Sequence, residues 1–425
     1  MHIHTTGTEP VFHLRTNHSS YVMGVRDGYL CHLHWGSLLA ERVGDYEDLL
    51  RIEGRASFSA TPDPSKPLTT DGIPLEYPVY GTGDMRFPAL QVRFADGSSA
   101  CELLYAGHRL LAGKPALEGL PSVGAEEGDG AETLQIDLKE PVKGLTVTLS
   151  YSVFPQADAI VRSVRVANGS AEPVVLTGVS SAALDFWDGS WDMVQLPGAW
   201  ARERHIERFR VRHGAQLVES RRGHSSHELN PFVAILSPDA TEHTGDAYGF
   251  SLVYSGSFTA AVEGGSYGST RALIGLPHFD FAWHLAPGEA FQTPEAVLVH
   301  SAEGLGGMSR RYHRLYRERL CRGVWRDRRR PVLVNNWEAT YFDFTEEKLL
   351  RLARQAKSLG IDLLVMDDGW FGRRNDDHSS LGDWFVNAEK LPDGLPQLVR
   401  RVNETGVGFG IWFEQDIISP DRVIF

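Results

Sequence analysis

Two adjacent carboxylates, Asp367 and Asp368, follow the apolar run Leu363-Leu364-Val365-Met366 and precede Gly369-Trp370. Carboxylates at a strand end suit three tasks: metal binding, acid–base catalysis, or accepting hydrogen bonds from sugar hydroxyls. Side chains alternate along a strand, so the neighbouring aspartates should point apart, and one metal held by both is not expected. Trp337, Trp370, Trp384 and Trp412 lie in the same stretch and offer apolar faces of the kind that stack on pyranose rings. The plainer reading is a helix-capping acid pair beside core tryptophans. Against it, acids and tryptophans recur together after each of the apolar runs at 332–334, 361–366 and 407–412.

Other candidates are weaker. Asp376, Asp377 and Asp383 could approach a cation, but their spacing matches no calcium loop. His2 and His4, like His32 and His34, share a strand face; with no third ligand indicated, solvated or locally bonded histidines are the expectation, and no metal site is assigned. Neither a glycine-rich phosphate loop nor a Gly-x-Ser-x-Gly elbow occurs.

The elements that must position Asp367 and Asp368 alternate strand and helix after Pro331. The run 332–334 reads as a buried strand. Residues 345–360 read as an amphipathic helix with Thr345 at its N-cap and Gly360 past its end. Residues 361–366 form a second strand, 395–404 a second helix and 407–412 a third strand. This alternation predicts a parallel sheet with right-handed crossovers, and such barrels build their sites at the C-terminal ends of their strands. An eightfold barrel needs about 250 residues, so residues 331–425 are expected to hold only its first part, with an unpaired outer edge on the third strand. Ile417, Ile418, Val423, Ile424 and Phe425 would add apolar side chains without an encoded partner.

Upstream the period is two. In residues 144–154, Leu145, Val147, Leu149, Tyr151 and Val153 point one way; 160–166 and 248–254 are strand-like as well. Many strands without a helix between them predict a large β-sandwich over residues 1–303. Residues 304–330 read as a solvated linker helix, with Tyr312, Leu315, Tyr316 and Leu320 on one side and arginines on the other. The arginines at 326 and 328–330 could suggest RNA, but a net charge of −13 argues against nucleic acid or an anionic membrane surface as partner. Cys31, Cys101 and Cys321 lie far apart and read as reduced thiols in a cytoplasmic protein. No apolar run is long enough to span a membrane.

Several longer strings carry a resemblance. Asn335-Asn336-Trp337-Glu338, Met366-Asp367-Asp368-Gly369-Trp370, Ser380-Leu381-Gly382-Asp383-Trp384 and Lys390-Leu391-Pro392-Asp393-Gly394 are similar to the bacterial α-galactosidases of glycoside hydrolase family 36. So are Glu76-Tyr77-Pro78-Val79-Tyr80-Gly81, the stretch 196–204 around Trp200, and 219–232 with Asn230-Pro231-Phe232, so the resemblance covers nearly the whole chain. It implies a large N-terminal β-supersandwich, a (β/α)8 barrel, here begun by about three β/α units, and a small C-terminal β-domain. It also implies retaining hydrolysis by two aspartates without a cofactor. By position, Asp367 and Asp368 match the acids that grip galactosyl hydroxyls, Trp337 and Trp412 line the same pocket, and Trp200 matches a β-domain tryptophan reaching toward it.

The family's nucleophile lies in a Lys-Trp-Asp motif on the fourth barrel strand and its acid/base on the sixth. In this chain the Trp-Asp pairs are Trp187-Asp188 and Trp191-Asp192, both in the β-domain. No catalytic residue is therefore assigned within it. Two further departures are Trp412-Phe413-Glu414-Gln415-Asp416-Ile417, where relatives have Trp-x-Glu-Pro-Glu-Met, and Arg51-Ile52-Glu53, where relatives have Arg-Leu-Asp. The expectation is the N-terminal portion of a cytoplasmic α-galactosidase acting on melibiose- and raffinose-type galacto-oligosaccharides, homo-oligomeric when whole and inactive as this portion alone. A non-catalytic carbohydrate-binding or assembly subunit, or a related enzyme such as an α-N-acetylgalactosaminidase, remains the alternative.

Overall fold

The computed structural model describes residues 2–6, 9–40, 46–52, 69–187, 189–414 and 419. Glu53, Asp188, Gln415, Asp416, Ile417, Ile418, Val423, Ile424 and Phe425 lie outside the described residues. The chain divides into two compact units, Met1–Arg322 and Gly323–Phe425.

The first unit is a stack of antiparallel sheets of four, six and ten strands. Its logic is visible in the strand Leu145–Phe154, where Leu145, Val147, Leu149, Tyr151 and Val153 are all fully buried. A dry face with period two fixes register, because a one-residue slip would turn every apolar side chain outward. The strand pairs along its whole length with Ala159–Asn168. The predicted strands at 160–166 and 248–254 are found as Ala159–Asn168 and Ala247–Val253. These side chains join those of the long strand Val174–Phe186 in one apolar core between the sheets.

Buried charge sits inside this core. Glu76 is fully buried, and its carboxylate accepts from the hydroxyls of Tyr21 and Tyr151, lies 3.0 Å from Nδ1 of His32 and 3.0 Å from Nη1 of Arg162. A second buried group joins Arg271 to Asp84 and Asp185, each at 2.6 Å, with Arg86 adding a third bridge to Asp84 at 2.9 Å.

The helix of the 304–330 segment differs from the solvated linker the sequence suggests. It runs Gly304–Leu315, and Met308, Tyr312 and Leu315 are buried against Val161, Val297 and Val299 of the ten-stranded sheet. The Tyr312 hydroxyl donates to the Val297 carbonyl at 3.0 Å. The fit depends on Gly249, where a Cβ would come within 2.6 Å of the Tyr312 ring. The helix ends in a π-helical turn, Tyr316–Leu320, and belongs to the first unit. The polar connection is residues 321–330, all exposed. Limited trypsinolysis is therefore expected to cut first after Arg322, Arg326, Arg328 or Arg329, leaving a resistant fragment of about the first unit. Initial cleavage inside the sheets would contradict this division.

The second unit holds three parallel strands, Leu333–Asn335, Leu363–Met366 and Gly408–Ile411, in sequential order. Helices Glu346–Ser358 and Leu395–Glu404 form the crossovers that parallel pairing demands. Thr345 caps the first helix by accepting from Lys348 N, and Gly360 follows its end at φ +78°. Leu349, Leu350, Ala353, Leu398 and Val402 pack on Leu364 and Met366. The first strand is not the buried strand expected: Leu333 is 53% exposed. It is an outer strand with one neighbour among the described residues, as is the third, so only the central strand is covered on both sides.

Candidate functional site

The central strand of the second unit ends at Met366, and the chain turns at Gly369, φ +94°, where a Cβ would press to 3.0 Å on Phe342. Asp367 and Asp368 occupy this turn but face different surroundings. The Asp367 backbone N–H donates to Asn336 Oδ1 at 2.7 Å, and the Asp367 carboxylate accepts from the Asn335 side chain and, at 2.7 Å, from the Asp368 N–H. It is half-buried.

Asp368 is 5% exposed and gripped by Arg374, whose Nε lies 3.0 and 3.1 Å from its two oxygens and whose Nη2 lies 2.8 Å from Oδ2. The Gly369 N–H adds a fourth bond at 2.7 Å. This forked, charge-assisted contact fixes the carboxylate in one orientation. Lys390 locks the loop by donating to the carbonyls of Gly369 (2.9 Å) and Arg374 (3.0 Å). Burial lowers the Lys390 pKa, and Asp368 works against that shift.

The neighbouring strand ends bring in the two tryptophans. Trp337 follows the first strand; its N–H donates to Asn335 Oδ1 at 2.7 Å, and its half-buried ring meets Tyr341 and Phe342 edge-on at 5.1 and 5.0 Å. Trp412 follows the third strand; its N–H donates to Met366 O at 2.9 Å, and its ring is half-buried. Asp367, Trp337 and Trp412 thus stand at the C-terminal ends of three adjacent parallel strands. Trp200 lies in the other unit, on the turn bridged by Ala199 and Arg202, and is 82% exposed.

Trp370 is a different matter from the sugar-stacking face its position suggests. It is 3% exposed, its Nε1 donates to Trp412 O at 2.9 Å, and its ring packs on Phe371 and Phe413. Trp384 is half-buried against Phe371 at 4.5 Å. Asp376 bonds locally to the His378 N–H and the Ser379 hydroxyl. Among the described residues no group of three or more His, Cys, Asp or Glu is placed to hold a metal. His32 turns inward to Glu76, and His34 Nε2 meets the Ser37 carbonyl at 3.2 Å.

Asn335, Asn336, Arg374 and Lys390 were not singled out from the sequence as site residues, yet they set the aspartates' geometry. The asparagines could have been found from their place immediately after the first strand. Arg374 pairs across a loop turn that no spacing rule describes.

The arrangement offers one accessible carboxylate, flanked by indoles, and a second immobilised by an arginine. It can accept hydrogen bonds from hydroxyls and cover an apolar ring face, and it belongs to the start of a β/α barrel that follows a β-sandwich. Such a chain is of the carbohydrate-active class. Residues 28–286 match the glycosyl hydrolase family 36 N-terminal domain, and residues 290–425 match the melibiase domain. The α-galactosidase AgaA of Geobacillus stearothermophilus is 49% identical over 416 residues, which is 97% of this chain and 57% of that protein. The α-galactosidase Mel36A of Lactobacillus acidophilus is 42% identical over 98% of this chain and 57% of its own length. Among solved structures, AgaA superimposes with a TM-score of 0.91 over 95% of this chain and 56% of that one, at 50% identity. The Lactobacillus brevis α-galactosidase gives a TM-score of 0.94 at 41% identity, over 98% of this chain and 56% of that one. The chain belongs to glycoside hydrolase family 36. It spans just over half the length of the curated relatives it matches.

No helix among the described residues is long and apolar enough to cross a membrane.

Proposed function

We propose that this chain supplies the β-domain and the galactosyl-gripping strand ends of a retaining α-galactosidase. Asp367 accepts hydrogen bonds from hydroxyls of the terminal galactose, Trp337 and Trp412 cover its ring, and Asp368, fixed by Arg374, completes the polar wall. The observation that carries this reading is the convergence of Asp367, Trp337 and Trp412 on three adjacent strand ends.

Retaining hydrolysis needs a nucleophilic and an acid/base carboxyl about 5–5.5 Å apart. Asp367 and Asp368 do not fit those roles, since Asp368 is held by a guanidinium and turned into the loop. The substrate class is terminal α-1,6-galactosides. Variants of the Geobacillus AgaA have been solved with stachyose and with raffinose, and we extend that class to this chain. The three thiols, none in a disulfide, fit a cytoplasmic setting.

The test is a polypeptide in which this chain is joined to the remaining portion of the Geobacillus AgaA. It is expected to hydrolyse raffinose and an aryl α-galactoside and to leave an aryl α-glucoside intact. A folded fusion that turns over neither galactoside overturns the proposal.

A further inference from the structure

The ten-stranded sheet has a second face, opposite the core, and part of it is polar, with half-buried and buried hydroxyls beside the exposed Arg165. Along the strands Glu132–Lys139, Leu145–Phe154 and Ala159–Asn168 it presents Thr133, Gln135, Thr148, Ser150, Ser152, Ser163 and Arg165. Lys114, Pro115, Ala116 and Leu117 lie over this face and, with it, line a partly open cavity of about 180 Å³. The crossing segment is tied down by buried polar contacts. Thr133 Oγ1 donates to the Gly113 carbonyl at 2.7 Å, Lys114 Nζ lies 2.5 Å from Glu295 Oε1, and Val123 N–H donates to Glu295 Oε2 at 2.7 Å. The Lys114 and Glu295 side chains are only 3% and 1% exposed.

The lining has donors to spare and an unmatched positive charge. Lys114 and Glu295 neutralise each other, and Arg109 is neutralised by Asp137 at 2.7 Å. Asp137 also accepts from Thr148 at 2.6 Å. The Arg165 side chain makes no hydrogen bond or ion pair with any described residue, although its backbone is paired in the sheet. Ser163 is 7% exposed and its hydroxyl likewise has no partner among the described residues. Ser150 accepts from Gln135 Nε2 at 3.1 Å and keeps its own proton to give. A guanidinium beside hydroxyl donors matches the oxygens of a phosphate or carboxylate. The chain as a whole carries −13, so this positive lining is a local exception to its charge. A volume of about 180 Å³ holds several waters. That exceeds one oxyanion and leaves room for a small polar body beside Pro115 and Leu117.

We propose that this cavity binds a small oxyanion, a phosphate or carboxylate carried on a body no larger than one sugar ring, through Arg165, Ser150 and Ser163. The site lies wholly within the first unit. Calorimetric titration of the 425-residue chain tests it, with inorganic phosphate, glucose 6-phosphate, galacturonate and neutral galactose as probes. Saturable one-to-one binding of glucose 6-phosphate or galacturonate is expected, and which one binds identifies the anion. Arg165→Ala should weaken that binding about tenfold or more, the loss of a charge-assisted contact. Ser163→Val, which fills the cavity floor, should weaken it too, while Arg317→Ala on the outer helix leaves it unchanged. Both Arg165→Ala and Ser163→Val are to be checked for unaltered melting; if Ser163→Val misfolds, the exposed Arg165→Ala decides alone. The proposal fails if no anionic probe saturates, if Arg165→Ala binds as the parent does, or if neutral galactose titrates the same site with equal affinity.

Discussion

The 425-residue polypeptide, purified alone, is expected to leave an aryl α-galactoside intact. Double displacement requires both a nucleophile and an acid/base, and the resemblance puts these on later barrel strands. Withholding the general acid alone costs about 10²–10⁴-fold, and with the nucleophile missing as well turnover should fall to the uncatalysed background. Asp367 and Asp368 cannot substitute. The Asp367 carboxylate is bonded by the Asn335 side chain, and Asp368 is neutralised by Arg374. Hydrolysis that co-purifies with a homogeneous chain of the correct mass would contradict this assignment of roles.

The second large effect concerns the β-domain. Glu76→Gln is expected to destabilise it by about 3–5 kcal/mol, because it leaves the buried Arg162 guanidinium without a compensating charge. That corresponds to a melting shift on the order of 10 °C. Replacing Arg162 with Met as well should recover much of the loss, since removing both charges costs less than stranding one. The same group gives a pH signature. Burial works to raise the Glu76 pKa, but Arg162, His32 and Tyr21 outweigh it and hold the carboxyl below its ordinary 4.5. A carboxyl depressed in the folded state contributes stability above its unfolded value and loses it as pH falls through the folded one. Wild-type stability should therefore decline below about pH 4.5, and the Glu76→Gln protein should show a shallower decline there. Equal acid profiles for the two proteins would remove Glu76 from the account.

Glu76 opens one of the strings that carry the family resemblance, and the structure gives that string a physical reason. Its partner Arg162 lies far along the chain, so the pairing could not be read from spacing. What was legible follows local periodicity. Leu145 to Val153 alternate because one face is dry, and the helix Glu346–Ser358 carries its own cap and stop. The helix Gly304–Leu315 was read as solvated because its arginines are plain in the sequence, whereas the groove that receives Tyr312 exists only where Gly249 lies on another strand. Trp337, Trp370 and Trp412 look alike in sequence. Past a strand end the period is lost, and nothing local tells the buried Trp370 from the two half-buried rings.

The most direct measurement of the central claim is kcat/KM of the joined polypeptide on an aryl α-galactoside, with and without Asp367→Asn. A hydroxyl contact through an ionised acceptor is worth about 1.5–3 kcal/mol, so a loss of about tenfold to a hundredfold is expected, at unchanged melting temperature. An Asp367→Asn polypeptide that melts normally and keeps the parent's kcat/KM would show that the strand ends of this chain do not grip the sugar.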